Sequence, residues 1–150
     1  MLATEVRGKL PEMGVINSRY SLVLDGKNDS AHNEKRTLRI IAWEALPRIN
    51  HAIEFDWKPG EWYRLKLAIE PGAKSAKVLG KVWKRGDAEP AKWSIEFDDP
   101  NSYANGAAGV YGYVTNMQES EKQTPTGSVK ETLPGSEIYY DNLSITPAKK

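Results

Sequence analysis

Trp62-Tyr63-Arg64-Leu65-Lys66-Leu67-Ala68-Ile69-Glu70 alternates apolar and polar residues: Tyr63, Leu65, Leu67 and Ile69 fall on one side of an extended chain, and Arg64, Lys66 and Glu70 on the other. A period of two marks a half-buried strand, whose successive side chains point to opposite faces of a sheet. Lys58-Pro59-Gly60-Glu61 before it and Pro71-Gly72 after it read as turns, because proline presets the first bend and glycine accepts the second. Working outward, the same alternation predicts strands at 13–17, 19–25, 37–44, 49–56, 76–84, 92–98, 108–115 and 137–146. Breakers stand between them at Asp25-Gly26, Leu46-Pro47, Arg85-Gly86-Asp87, Asp99-Pro100 and Pro134-Gly135. No segment holds a helical period.

Many short strands with frequent turns predict an all-β fold, an antiparallel two-sheet sandwich, formed as one domain over residues 1–150. The polar stretch from Gln118 to Gly135 has almost nothing to bury and reads as a long mobile loop over about 118–135. At the other end, Leu2, Thr4 and Val6 alternate with Ala3, Glu5 and Arg7. Residues 1–9 are therefore expected to pair with the final strand near Ile138 to Ile145.

Composition narrows the function. Twenty-one basic residues against twenty acidic ones leave a net charge of +1 with no block of either sign, which argues against nucleic acid as a partner. No apolar run reaches the length of a membrane span, and residues 1–7 lack a signal-peptide core. The absence of cysteine excludes disulfides and thiolate metal sites. Five Trp and seven Tyr against two Phe favour half-buried and ligand-facing positions, since both rings carry a polar edge.

The most specific stretch is Ala76-Lys77-Val78-Leu79-Gly80-Lys81-Val82-Trp83-Lys84-Arg85-Gly86-Asp87-Ala88-Glu89-Pro90-Ala91-Lys92-Trp93, with Trp62-Tyr63-Arg64-Leu65-Lys66 before it and Tyr139-Tyr140-Asp141-Asn142-Leu143-Ser144-Ile145 at the end. Together these resemble the concanavalin A-like lectin and glucanase superfamily, in its laminin-G-like and 3-keto-disaccharide-hydrolase-like branch, over roughly residues 13–147. They are similar in particular to bacterial domains placed behind a quinoprotein-type β-propeller. The resemblance implies a jelly roll, and a carbohydrate-binding or interaction module of a larger secreted or periplasmic protein. Complete domains of that type open with further strands, so it also implies a jelly roll truncated at its N-terminus, inviting a homodimer across the open edge. It further implies that Asp141, near the last strand, ligates a structural calcium, the alternative being a hydrogen bond to a neighbouring loop.

Physically, Trp83 and Trp93 flank a loop in which Gly86 takes a positive φ and Pro90 stiffens the return. The two rings either clasp that loop by burial or stack on a ligand. Candidate binding groups are Arg19, Arg39, Trp43, Glu44 and Arg48 in the middle of the chain, and Tyr111 and Tyr113, which alternate on a late strand. A sugar presents apolar faces edged by hydroxyls, so an aromatic platform beside Arg, Glu or Asn suits a polysaccharide or oligosaccharide. A catalytic pair is harder to find. Glu54 and Asp56 lie two apart in Ile53-Glu54-Phe55-Asp56-Trp57, as glucanase acids do, but no second Glu follows. The expectation is a non-catalytic module; the alternatives are a glycoside hydrolase using Glu44, Glu54 or Asp56, and a domain that only packs against its neighbours.

Overall fold

A computed structural model describes residues 1–6, 10–26, 35–42, 49–101, 106–114, 117–134 and 136–147. The long alternating stretch forms β6 (Tyr63–Pro71), which turns at Gly72 and returns antiparallel as β7 (Ala76–Lys84). Inward pairs such as Leu65↔Val82 and Ile69↔Val78 line the core side, while Arg64, Lys66, Lys77 and Lys81 occupy the alternate positions. Around this hairpin the first sheet runs β12 (Ser136–Tyr140), β1 (Leu2–Val6), β6, β7, β8 (Ile95–Asp99). The second sheet runs β5 (Ile49–Glu54), β4 (Thr37–Ala42), β3 (Tyr20–Asp25), β2 (Glu12–Asn17), β9 (Ala108–Tyr113). All pairings are antiparallel, and no helix occurs among the described residues.

The two five-stranded sheets pack face to face. Leu2, Tyr63, Val78, Val82 and Ile95 of the first meet Met13, Tyr20, Leu22, Leu24, Leu38 and Ile40 of the second. At Gly80 the sheets approach so closely that a Cβ would lie 2.5 Å from Leu22 Cδ1, so glycine is required there. Trp57 is the fully buried tryptophan among the described residues; its Nε1 donates to the Asp25 carbonyl at 3.1 Å. Trp83 and Trp93 are only half buried.

The N-terminal strand pairs with the last one as its alternation predicts, in the register Leu2↔Tyr140, Thr4↔Ile138, Val6↔Ser136. Within the stretch read as a long loop, β10 (Met117–Thr124) and β11 (Gly127–Pro134) form a two-stranded antiparallel hairpin around Pro125-Thr126. One expectation needs correction. The final strand stops at Tyr140, not near 146, because Asn142 takes a left-handed φ of 54° that turns the backbone out of the extended conformation.

Because Trp57 fills the core and Trp83 does not, Trp57→Ala should lower stability by about 3–5 kcal/mol, the usual cost of truncating a large buried aromatic. Trp83→Ala should cost clearly less. Urea melts of both variants check this; equal losses would contradict the packing described.

Candidate functional site

Sheet alternation sends every second residue of the second sheet outward, and the register aligns these residues in rows across it. One row is Ala52, Arg39, Val23, Gly14, Tyr111; the next is Glu54, Thr37, Asp25, Glu12, Tyr113. Arg39 and Tyr111 are thus three strands apart, about 14 Å at the usual strand spacing. The floor between them is closed to solvent: Ser21, Val23 and Asp25 are each no more than 1% exposed although they point away from the core.

Asp25 is a carboxylate on a strand buried on both faces, and an ion there needs a partner. Arg39 supplies it. Its Nη1 donates to Asp25 Oδ2, while Nε and Nη2 donate to Asn50 Oδ1 at 3.1 and 2.7 Å, so the planar guanidinium is fixed on two sides. Its side chain keeps 17% exposure. At the other end of the rows the Tyr111 hydroxyl donates to Glu12 Oε2 at 2.8 Å. Tyr113, two residues on and facing the same way, is 54% exposed.

This one face therefore gathers Arg39, Tyr111 and Tyr113 from the residues singled out in the sequence, and adds Asp25, Asn50 and Glu12. Asp25-Gly26 reads in the sequence only as a turn, and nothing short of the strand register reveals that Asp25 faces Arg39. Arg19 lies elsewhere. Its side chain is 3% exposed at the end of the β2–β3 hairpin, where Nε lies 3.6 Å from Asp99 Oδ2. Asp99 also accepts from the Tyr20 hydroxyl at 2.5 Å and from the Asn101 N–H at 2.9 Å, tying the two sheets together. Trp43, Glu44 and Arg48 lie outside the described residues.

Glu54 and Asp56 point into solvent, each toward its own cation: Lys35 Nζ lies 2.8 Å from Glu54, and Arg36 Nη1 3.5 Å from Asp56. At Asp141, Oδ2 accepts from the Asn142 amide at 2.9 Å. Among the described residues no three of His, Cys, Asp and Glu come together as a metal would require, and calcium takes about six to eight oxygens.

A second constellation was not legible in the sequence. Lys66 and Lys81 are register partners on the outer face of the first sheet, and such like-charged neighbours repel. The loop after β7 folds back to neutralise them. Glu89 accepts from Lys66 at 2.9 Å and from Lys81 at 3.1 Å, Pro90 O accepts from Lys81 at 2.7 Å, and the Trp93 ring lies 4.6 Å from Lys81 Nζ. The hydrogen bonds from Lys66 and Lys81 hold the Glu89 carboxyl below its ordinary range. The half-buried Trp93 ring thus lies over Lys81 of β7.

No protein-family model, curated protein or solved structure matches the chain. Among the described residues no helix is long and apolar enough to cross a membrane.

The edge of the second sheet is braced from behind by Tyr140 of the first sheet, whose hydroxyl donates to the Tyr111 carbonyl. Burial pushes this phenol up from 10.0 to about 12. Its folded value thus lies above the unfolded one, so its contribution to stability is complete below pH 10 and is lost as pH rises toward 12. Tyr63, also raised by burial, acts in the same direction. Tyr140→Phe should cost about 1 kcal/mol at neutral pH, the worth of one hydrogen bond, and should weaken the alkaline loss. Urea melts at a series of pH values check this; an unchanged alkaline profile in the variant would contradict it.

Proposed function

We propose that the chain is a non-catalytic carbohydrate-binding module of concanavalin A-like jelly-roll build, belonging to a larger secreted or periplasmic protein, and that it binds an oligosaccharide through the groups of its second sheet's outer face that reach solvent. The observation that carries this reading is the gathering of Arg39, Tyr111 and Tyr113 on one face with Asp25, Asn50 and Glu12. Tyrosine rings offer flat apolar platforms with a hydroxyl edge, and amide and carboxylate oxygens accept from sugar hydroxyls, which is the chemistry such a ligand needs.

The non-catalytic part rests on how the carboxylates are used. A glycosidase needs two acids flanking the bond to be cleaved, about 5–9 Å apart. Here Asp25 serves Arg39 and Glu12 serves Tyr111, while Glu54 and Asp56 face solvent with Lys35 and Arg36. The two five-stranded antiparallel sheets agree with the jelly-roll reading.

Arg39 is a poor probe of binding, since removing it strips a buried carboxylate of its cation and costs about 3–5 kcal/mol of stability on that account alone. Tyr113 is the clean one. Tyr113→Ala should lower affinity for a bound polysaccharide about tenfold, or 1.4 kcal/mol, with the melting temperature unchanged, and the parent should release no reducing ends. Calorimetry across a panel of soluble polysaccharides checks the first point and a reducing-sugar assay the second. Failure to bind any member of the panel would overturn the reading. Sugar release abolished by Glu44→Gln or Glu54→Gln would replace it with a hydrolase.

A further inference from the structure

Four strands end the two sheets, and three carry an acidic residue: Glu54 on β5, Glu96, Asp98 and Asp99 on β8, and Glu137 on β12. The fourth, β9, reads Ala108-Gly109-Val110-Tyr111-Gly112-Tyr113 with no charge, and the uncharged run extends from Pro100 to Gln118. Proteins commonly guard such edges with charge, because an unguarded edge strand is a template for another. Three large apolar residues are exposed along this edge, Val110 at 46%, Tyr113 at 54% and Val114 at 37%.

We propose that β9 pairs antiparallel with β9 of a second copy of this chain, about a twofold axis at Tyr111, joining two second sheets into one ten-stranded sheet. The argument for a second copy is self-complementarity of size and charge. In this register Gly109 faces Tyr113 of the other copy, Val110 faces Gly112, and Ala108 faces Val114, so every small residue is covered by a large one and no like charges meet. The same operation applied to β8 sets Glu96 against Asp98, acid against acid.

Gly112 is already backed by the first sheet, since a Cβ there would lie 2.9 Å from the Tyr140 hydroxyl and 3.2 Å from Ile138 Cδ1. Val110 of the other copy therefore meets an existing apolar wall. On the outer face the pairing sets Tyr111 and Tyr113 of both copies side by side. Resting on the carbohydrate reading, this joins two binding faces into one continuous surface and makes the module bivalent for a polymer.

Sedimentation velocity on the full chain at micromolar concentration should show a species of twice the monomer mass, and Val110→Lys should return it to monomer with an unchanged melting temperature. Since the chain has no cysteine of its own, Tyr111→Cys places a single thiol opposite its symmetry mate. Under mild oxidation it should form a disulfide-linked dimer, whereas Ser128→Cys on the β10–β11 hairpin should not. A monomeric parent, a Val110→Lys variant that stays dimeric, or equal cross-linking of the two cysteine variants would each overturn the proposal. The carbohydrate reading is judged apart from this, by whether monomeric Val110→Lys binds the polysaccharide once per chain.

Discussion

A strand buried on both faces must satisfy two sets of neighbours at once, and β3 is that strand: all six of its residues are buried. Inward, Tyr20, Leu22 and Leu24 form the middle of the core, and the opposing sheet yields space to Leu22 at Gly80. Outward, Ser21, Val23 and Asp25 are covered as well, and the charge on Asp25 sets the terms for what surrounds it. An ionised carboxylate is costly in such a place unless cation and hydrogen-bond partners are supplied. Arg39 on β4 and Asn50 on β5 follow from that demand, since Asn50 holds the guanidinium against Asp25. The Asp25 carbonyl is the acceptor for buried Trp57, so the same residue anchors the core at that end of the sandwich.

The two outer faces then have different fates for electrostatic reasons. On the first sheet, adjacent Lys66 and Lys81 draw the loop carrying Glu89 and Trp93 back onto the strands, while Arg64, Lys77, Glu96 and Asp98 stay exposed. On the second sheet, the outward residues of β3 are covered and Asp25 is paired with Arg39, while Tyr113 and the edge of Arg39 are turned to solvent. The proposed binding rests on these solvent-facing groups. The strand order also places the aromatic residues at the edge strand, where a second copy of the chain can extend them.

Strands with one wet face were legible in the sequence. β6 alternates cleanly because Arg64, Lys66 and Glu70 must reach water. β3 was legible as a strand but not as a doubly buried one, because Tyr-Ser-Leu-Val-Leu-Asp looks half polar until its register is known. The strands of the hairpin over 117–134 carry no alternation that marks them, because most of their residues are polar. Arg19 stands in the sequence as a candidate binding group, and only folding brings it to Asp99, eighty residues on. Site residues drawn from strands far apart in the chain, such as Asp25 with Arg39 and Glu12 with Tyr111, depend on pairing order, which local pattern does not encode.

The most direct test of the binding face is amide chemical-shift mapping of the isotope-labelled chain during titration with a polysaccharide ligand. The account predicts perturbations centred on Arg39, Asn50, Glu12, Tyr111 and Tyr113, the outward residues of the second sheet that reach solvent. Perturbations centred instead on Glu89, Trp93 and Lys81 would contradict it and move the site to the loop folded over the first sheet.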